Sequence, residues 1–330
     1  MRAACKYVLL VAAAVLTAAT LAACGAAGEE EQTLELGHVW PEDDYQAEGV
    51  ARFAEEVEEL TGGSVTVNIS PAGQLGGDRE ILEGLELGTN DMWVGGAGVY
   101  NAITPVGQLF PAPFMFDDLD AAAETYDGEI GEEIKQRIEE DTDTVALAFW
   151  DRGPRHLTLN SAAEQPEDLA GKRIRVPENP IFIETWRALG ASPTPMEFPE
   201  VFTALQQGTI DGQENPLALT HSSGFYDVQS HLMLTGHVIE PIAVAISAGA
   251  WEGLSEEQQD ALVEAANGAA KEEVAQITRD QEEEFRRLLE EEGMTVIEPD
   301  REAYREATEG IVEENFPEIS DLYNRIVEQR

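Results

Sequence analysis

Lys172, Arg173 and Arg175 fall within four positions of "GKRIRVPENP" (171–180), and Arg152 and Arg155 stand a short way upstream. The whole chain holds 20 Lys and Arg against 65 Asp and Glu, so guanidinium groups gathered here either balance surface carboxylates or hold an anion. In "KRIRVP" a period of two puts Ile174 and Val176 on one side of a strand, Arg173 and Arg175 on the other, and Pro177 closes it. Arg175 therefore falls at the carboxyl end of a strand, where open α/β sheets present their ligands. A half-buried guanidinium there can grip a carboxylate through two parallel hydrogen bonds. Spacing alone leaves open a structural ion pair with one of the many glutamates.

Other chemistry finds little support. The sequence has no HExxH, GxSxG, Walker A or EF-hand pattern, and its five histidines, at 38, 156, 221, 231 and 237, lack metal-ligand spacing. "GGAG" (95–98) follows a strand, but Asn101 takes the place of the third glycine of a dinucleotide fingerprint. No nucleophile stands beside a base. An enzyme acting on a sugar acid would need a base about 3 Å from its substrate, for which His38 or Glu178 could be put forward. No metal or cofactor is expected.

The elements that must position these arginines read as alternating strands and helices. "TLELGHV" (33–39) and "SVTVNIS" (64–70) are β-rich, and between them Val50, Phe53, Ala54, Val57 and Leu60 recur at helical spacing up to Gly62 and Gly63. That is a βαβ unit. Further strands follow at "DMWVGG", "TVALAFW", "RHLTLN", "KRIRVP" and "IDGQEN". From Ser255, with Gln258 completing a capping box, a proline-free helical pattern runs to Gly293. As one rod it would be about 55 Å long and would brace two domains; a break near "NGAA" (267–270) is the other reading.

At 330 residues, 43% hydrophobic, the chain is long enough for two domains with their own cores. Its formal charge of −45 and pI near 4.1 exclude a nucleic-acid binder, since phosphates would be repelled. At 1 M salt the Debye length is about 3 Å, so that field would hardly oppose a small anion approaching one arginine. The N-terminus reads as an export signal, with Arg2 and Lys6 before an apolar stretch that ends in "LAAC" (21–24). Cys24 stands where a lipid anchor attaches, and "GAAGEEEQ" (25–32) suits a tether.

The run from Arg155 to Gln229, with "GASPTPM", "EVFTALQQG" and "DGQENP", and the upstream "GQLGGDREILEGLELGTNDM" closely resemble the extracytoplasmic substrate-binding proteins of tripartite ATP-independent periplasmic (TRAP) transporters, the DctP family. The resemblance implies a two-domain α/β, periplasmic-binding-protein-like fold with a ligand cleft, a hinge and a long helix spanning both domains. It implies an organic-acid ligand delivered to a membrane permease driven by a sodium gradient. It puts the ligand carboxylate on Arg175, with Arg155 and Asn215 assisting and Phe198 lining the cleft. Lys172, Arg173 and Arg152 match no such contact and are expected in surface ion pairs.

On this reading residues 1–23 are a lipoprotein signal peptide and 24–32 a tether. Residues 33–152 with 241–280 form the first domain, and 153–240 with 281–330 the second, hinged near 150–155 and 236–241. The loop "GHVWPEDDYQ", with His38, and the small Gly96 are expected to shape the pocket. At Gly96 some sialic-acid-binding relatives carry an acidic side chain, and "RVPENPIFIETW" looks more like sugar-acid binders than like binders of four-carbon dicarboxylates. A hexuronate or aldonate is favoured; a dicarboxylate or an osmolyte such as ectoine is the alternative. A sensory module would share the fold, but would be expected to continue into a transmembrane signalling segment beyond "DLYNRIVEQR".

Overall fold

The computed structural model describes residues 31–329; the proposed signal peptide, Cys24 and most of the tether lie outside them. The strands are β1 (Gln32–Gly37), β2 (Val65–Ser70), β3 (Met92–Gly96), β4 (Thr144–Trp150), β5 (Arg155–Leu159), β6 (Arg173–Val176), β7 (Ser192–Pro195), β8 (Gly212–Pro216), β9 (His231–Val238), β10 (Ile242–Ser247) and β11 (Thr295–Ile297). They form two sheets, ordered β2-β1-β3-β10-β4 and β11-β9-β5-β8-β6-β7. The first begins with the expected parallel βαβ unit, Gln32 paired with Val65 and Gly37 with Ser70. Its helix, Tyr45–Leu60, starts where the Asp44 side chain accepts from the Gln46 amide and buries Val50, Phe53 and Val57. Each such side chain contributes about 1.5–3 kcal/mol on leaving water.

The chain crosses between the sheets at 151–154, after β4, and returns through 239–241 into β10, which inserts antiparallel between β3 and β4. In the second sheet β6 runs parallel to β7 and β8, whereas β5 is antiparallel to β8 and β9.

The expected single brace is instead three helices in series, Glu256–Asn267, Ala269–Asp280 and Glu282–Glu291. The capping box of Ser255 and Gln258 opens the series. Gly268, at ψ −138°, breaks it, and a Cβ there would stand 2.7 Å from Glu56 Oε1 on the neighbouring helix. The second break is shallower, at Gln281, whose amide still donates to Ile277 and whose carbonyl still accepts from Phe285. Even broken, the series spans both sheets: Leu262, Ala266 and Val274 join the first core, while Leu289 packs with Leu217, Leu232 and Met294. The C-terminal segment crosses back as well. Expected within the second domain, it places Ile311, Val312, Phe316, Leu322 and Ile326 in the first core, and Arg325 pairs with Glu133 at 2.7 Å.

Between the sheets the two lobes touch through Ile181, Ala218 and Leu219, which join the first core, and through specific polar contacts. Asn179 Nδ2 donates to the carbonyls of Gly98 and Gly107 at 2.8 and 3.3 Å. Ser222 Oγ donates to Asp44 at 2.6 Å, and Arg79 meets Glu178 at 3.4 Å. These contacts close a cleft.

Candidate functional site: an arginine-lined cleft between the lobes

The cleft has about 640 Å³ of empty space, and its walls include Arg152, Arg155, Arg175, Asn215, Phe198 and Glu178. Both lobes contribute. Arg175, near the end of β6, is buried. Its Nε and Nη2 both donate to the Met196 carbonyl, at 2.9 and 2.6 Å, and the Phe198 ring lies 5.9 Å from the guanidinium carbon. Among the described residues this guanidinium forms no ion pair and Nη1 has no acceptor. Burial lowers its pKa to about 10, against the pull of Glu214, which still leaves a cation at neutral pH. A buried cation with one carbonyl partner favours an incoming anion.

Arg155, one of the expected ligand arginines, is far more committed. Glu214 holds it in a fork, Nε to Oε2 at 2.5 Å and Nη2 to Oε1 at 2.7 Å. Nη2 also donates to Asn215 Oδ1 at 3.0 Å, and Nη1 to Glu240 at 3.0 Å. Burial pushes the Glu214 carboxyl up, but the Arg155 charge and hydrogen bonds, with His237 at 3.1 Å, outweigh it and hold it near 2. Asn215 is likewise engaged, donating to Gln213 at 2.6 Å. Arg155 and Asn215 thus form a pre-set floor, with one Nη1 hydrogen left over.

Arg152, expected in a surface ion pair, is in fact buried in the cleft wall. Its sequence context is a loop, which gives no periodicity to place it. Nη1 donates to the same Glu240 oxygen that Arg155 uses, at 2.9 Å, while Nε is buried without an acceptor. Burial, then the neighbouring Arg155 charge, lower its pKa in spite of Glu240. Arg173 does sit at the surface, forked onto Asp211 at 2.6 and 3.0 Å.

Gly96 lines the cleft but does not leave it empty. A Cβ at Gly96 would stand 2.6 Å from Arg152 Nη1, and one at Gly98 would stand 2.8 Å from Glu240 Oε2. The glycines of "GGAG" make room for the ion pair. His38 is not part of the cleft lining; it is buried behind, its ring 5.4 Å from Trp40, and burial drops its pKa to about 4. Its neighbours Val39 and Trp40 face the cleft instead. Glu178 stands at the exposed rim, paired with Arg79.

Two acids that the sequence did not single out complete the wall. Asp78 begins the helix Asp78–Leu87 and accepts from Trp93 Nε1 at 2.9 Å; burial raises its pKa to about 6. Glu197, from the opposite lobe, is raised to about 7 by burial and then by the Asp78 charge, against Arg175. The run of acids and glycines in "GGDRE" carries no signal for this role, because the two residues meet only when the lobes do. Among the described residues no cluster of His, Cys, Asp and Glu is arranged to hold a metal ion.

Comparison with known proteins gives the same picture. The family model for bacterial extracellular solute-binding proteins, family 7 (DctP), matches residues 36–318. A solute-binding protein of Roseobacter denitrificans is 41% identical over 92% of this chain and 93% of its own. The 2,3-diketo-L-gulonate-binding periplasmic protein of Escherichia coli is 32% identical over 94% and 96%. A crystal structure of a TRAP periplasmic solute-binding protein from R. denitrificans with bound L-galactonate superimposes with a TM-score of 0.86 at 40% identity, covering 91% of this chain and 99% of that one. With the family model covering nearly all the described residues and relatives matched almost end to end, the chain belongs to family 7 of the bacterial extracellular solute-binding proteins, the DctP family.

Proposed function

We propose that this chain is the receptor of a TRAP transporter that captures a sugar acid outside the cytoplasm, with the ligand carboxylate on Arg175, and passes it to the membrane permease. The observation that carries this reading is the buried Arg175 guanidinium, which faces the interdomain cleft without a carboxylate partner. Arg155 and Asn215, fixed by Glu214 and Gln213, back it with one further N–H. Phe198 supports the guanidinium from the side. Gly96 acts through Arg152, and Glu178 closes the rim with Arg79. Relatives described with L-galactonate and 2,3-diketo-L-gulonate favour a six-carbon sugar acid here. The "LAAC" sequence supports anchoring through lipid on Cys24.

Calorimetry with L-galactonate tests the site. Arg175→Ala removes the main charged partner of the carboxylate, a loss of about 2–5 kcal/mol in a closed site, or about 30-fold to several thousand-fold in affinity. Arg175→Lys keeps the charge but loses the planar fork, and should weaken binding substantially. Arg173→Ala, on the surface, should change little. Near-wild-type affinity in the Arg175 variants, or a larger loss in Arg173→Ala, would show that the carboxylate docks elsewhere.

A further inference from the structure

The charges of the cleft pair off almost completely. Arg79 meets Glu178, Arg152 and Arg155 share Glu240, and Arg155 is forked onto Glu214. Three ionisable side chains of the wall stay outside ion pairs among the described residues: Arg175, Asp78 and Glu197. One is a cation and two are carboxyls from opposite lobes. Glu197 lies between Met196, whose carbonyl holds Arg175, and Phe198, whose ring faces it. Its Oε2 reaches the other lobe at Gly77, where a Cβ would stand 2.3 Å away. Asp78 is the next residue along, with one oxygen taken by Trp93.

We propose that Glu197 is a charge filter, set so that the cleft accepts a sugar acid with one carboxylate and rejects the same chain bearing two. The first carboxylate neutralises Arg175. A second would find every other cation of the wall already paired and would meet Glu197 beside Asp78, inside lobes that shield the repulsion from solvent. Hydroxyls suffer no such penalty. They can donate to the free oxygens of Glu197 and Asp78, and Arg152 Nε, buried without an acceptor, can donate to them. Rejection by an unpaired like charge is how a site separates ligands that share most of their contacts.

This inference rests on the sugar-acid reading, and its test separates the two. Binding of galactonate and of galactarate, the same chain with C6 oxidised to a second carboxylate, is measured by calorimetry at pH 8, above the value of about 7 to which Glu197 is raised. Wild type should favour galactonate by about 100-fold. Glu197→Gln, equal in size but uncharged, should lose part of its galactonate affinity with the altered hydroxyl contact and yet bind galactarate about tenfold more tightly than wild type does, so that the preference for galactonate falls. If wild type binds galactonate but takes galactarate equally well, or if Glu197→Gln leaves the ratio unchanged, the filter is wrong and the sugar-acid reading stands. If wild type binds neither acid, the sugar-acid reading falls and takes the filter with it.

Discussion

Gly96 shows how a residue without a side chain can govern the chemistry of its neighbours. The Arg152 Nη1 atom occupies the space where a methyl group at Gly96 would go, and Glu240 lies 3.2 Å from that point. Gly96→Ala should therefore push Arg152 off Glu240, and with it disturb the oxygen shared by Arg155. Overpacking of this kind costs about 1–3 kcal/mol, readable as a lower denaturant midpoint with an unchanged slope. An unaltered midpoint would mean that Arg152 swings aside freely and that the network tolerates its loss. At this scale the alternation that put Arg173 and Arg175 on one side of the strand did not separate their roles: Arg173 opens the strand and lies exposed on Asp211, while Arg175, two positions further in, is buried in the cleft. The sequence was silent where a loop sets direction, as at Arg152. It misdirected at His38, because one position along an extended segment exchanges the buried face for the cleft face.

Among the helices, Pro180–Ala188 is the one that links local chemistry to the lobes. Asn179 caps it through Oδ1, accepting from the Ile181 amide at 3.0 Å, while Nδ2 donates to two carbonyls of the other lobe. Asn179→Asp keeps the cap, since Asp serves as well at that position, but sets a carboxylate against the Gly98 and Gly107 carbonyls. The variant should keep the wild-type fold by circular dichroism and show a larger radius of gyration by X-ray scattering without ligand. Its affinity should fall about tenfold or more, as the loss of a bonded donor in a buried contact costs about 1–3 kcal/mol. A radius equal to wild type would deny Asn179 its role as a clasp. The βαβ unit and the start of the helix at Ser255 were legible in the sequence. The strand β10 was not: "IAVAIS" is buried at every position, so it shows no alternation. The β7 segment "SPTP" carries two prolines, which an edge strand alone tolerates. The break at Gly268 falls where the sequence offered "NGAA" as the other reading of this helix, whereas the break at Gln281 left no signal because Gln281 barely departs from helix.

Across the whole molecule, two lobes joined by short crossings are drawn together by polar contacts and by apolar ones, Ile181, Ala218 and Leu219 of the second lobe joining the first core. Exposed ion pairs such as Arg79 with Glu178 contribute about 1 kcal/mol or less. The proposed lipid site, Cys24, precedes both lobes in the sequence, so ligand capture should be separable from it. Cys24→Ala should leave galactonate affinity in the folded body at the wild-type value while shifting the protein from the detergent phase to the aqueous phase in a phase-partitioning assay. Recovery of wild-type protein with a free thiol and a mature N-terminus elsewhere would remove the lipid from the account. The strong net charge of −45 acts at the same scale, keeping the body soluble and apart from anionic surfaces.

The indole rings give this closure an optical signature. Of the five tryptophans, Trp40 lines the cleft and is buried in this arrangement of the lobes. Trp93 donates to Asp78, a carboxyl of the same wall, so its emission is tied to the charge state of that wall. Trp150 and Trp186 are buried elsewhere, the first bonded to the Ala266 carbonyl and the second against His237, and supply a steady background. Intrinsic fluorescence should therefore follow occupancy in the unlabelled protein, Trp40 being expected to report movement of the lobes and Trp93 the protonation of the cleft.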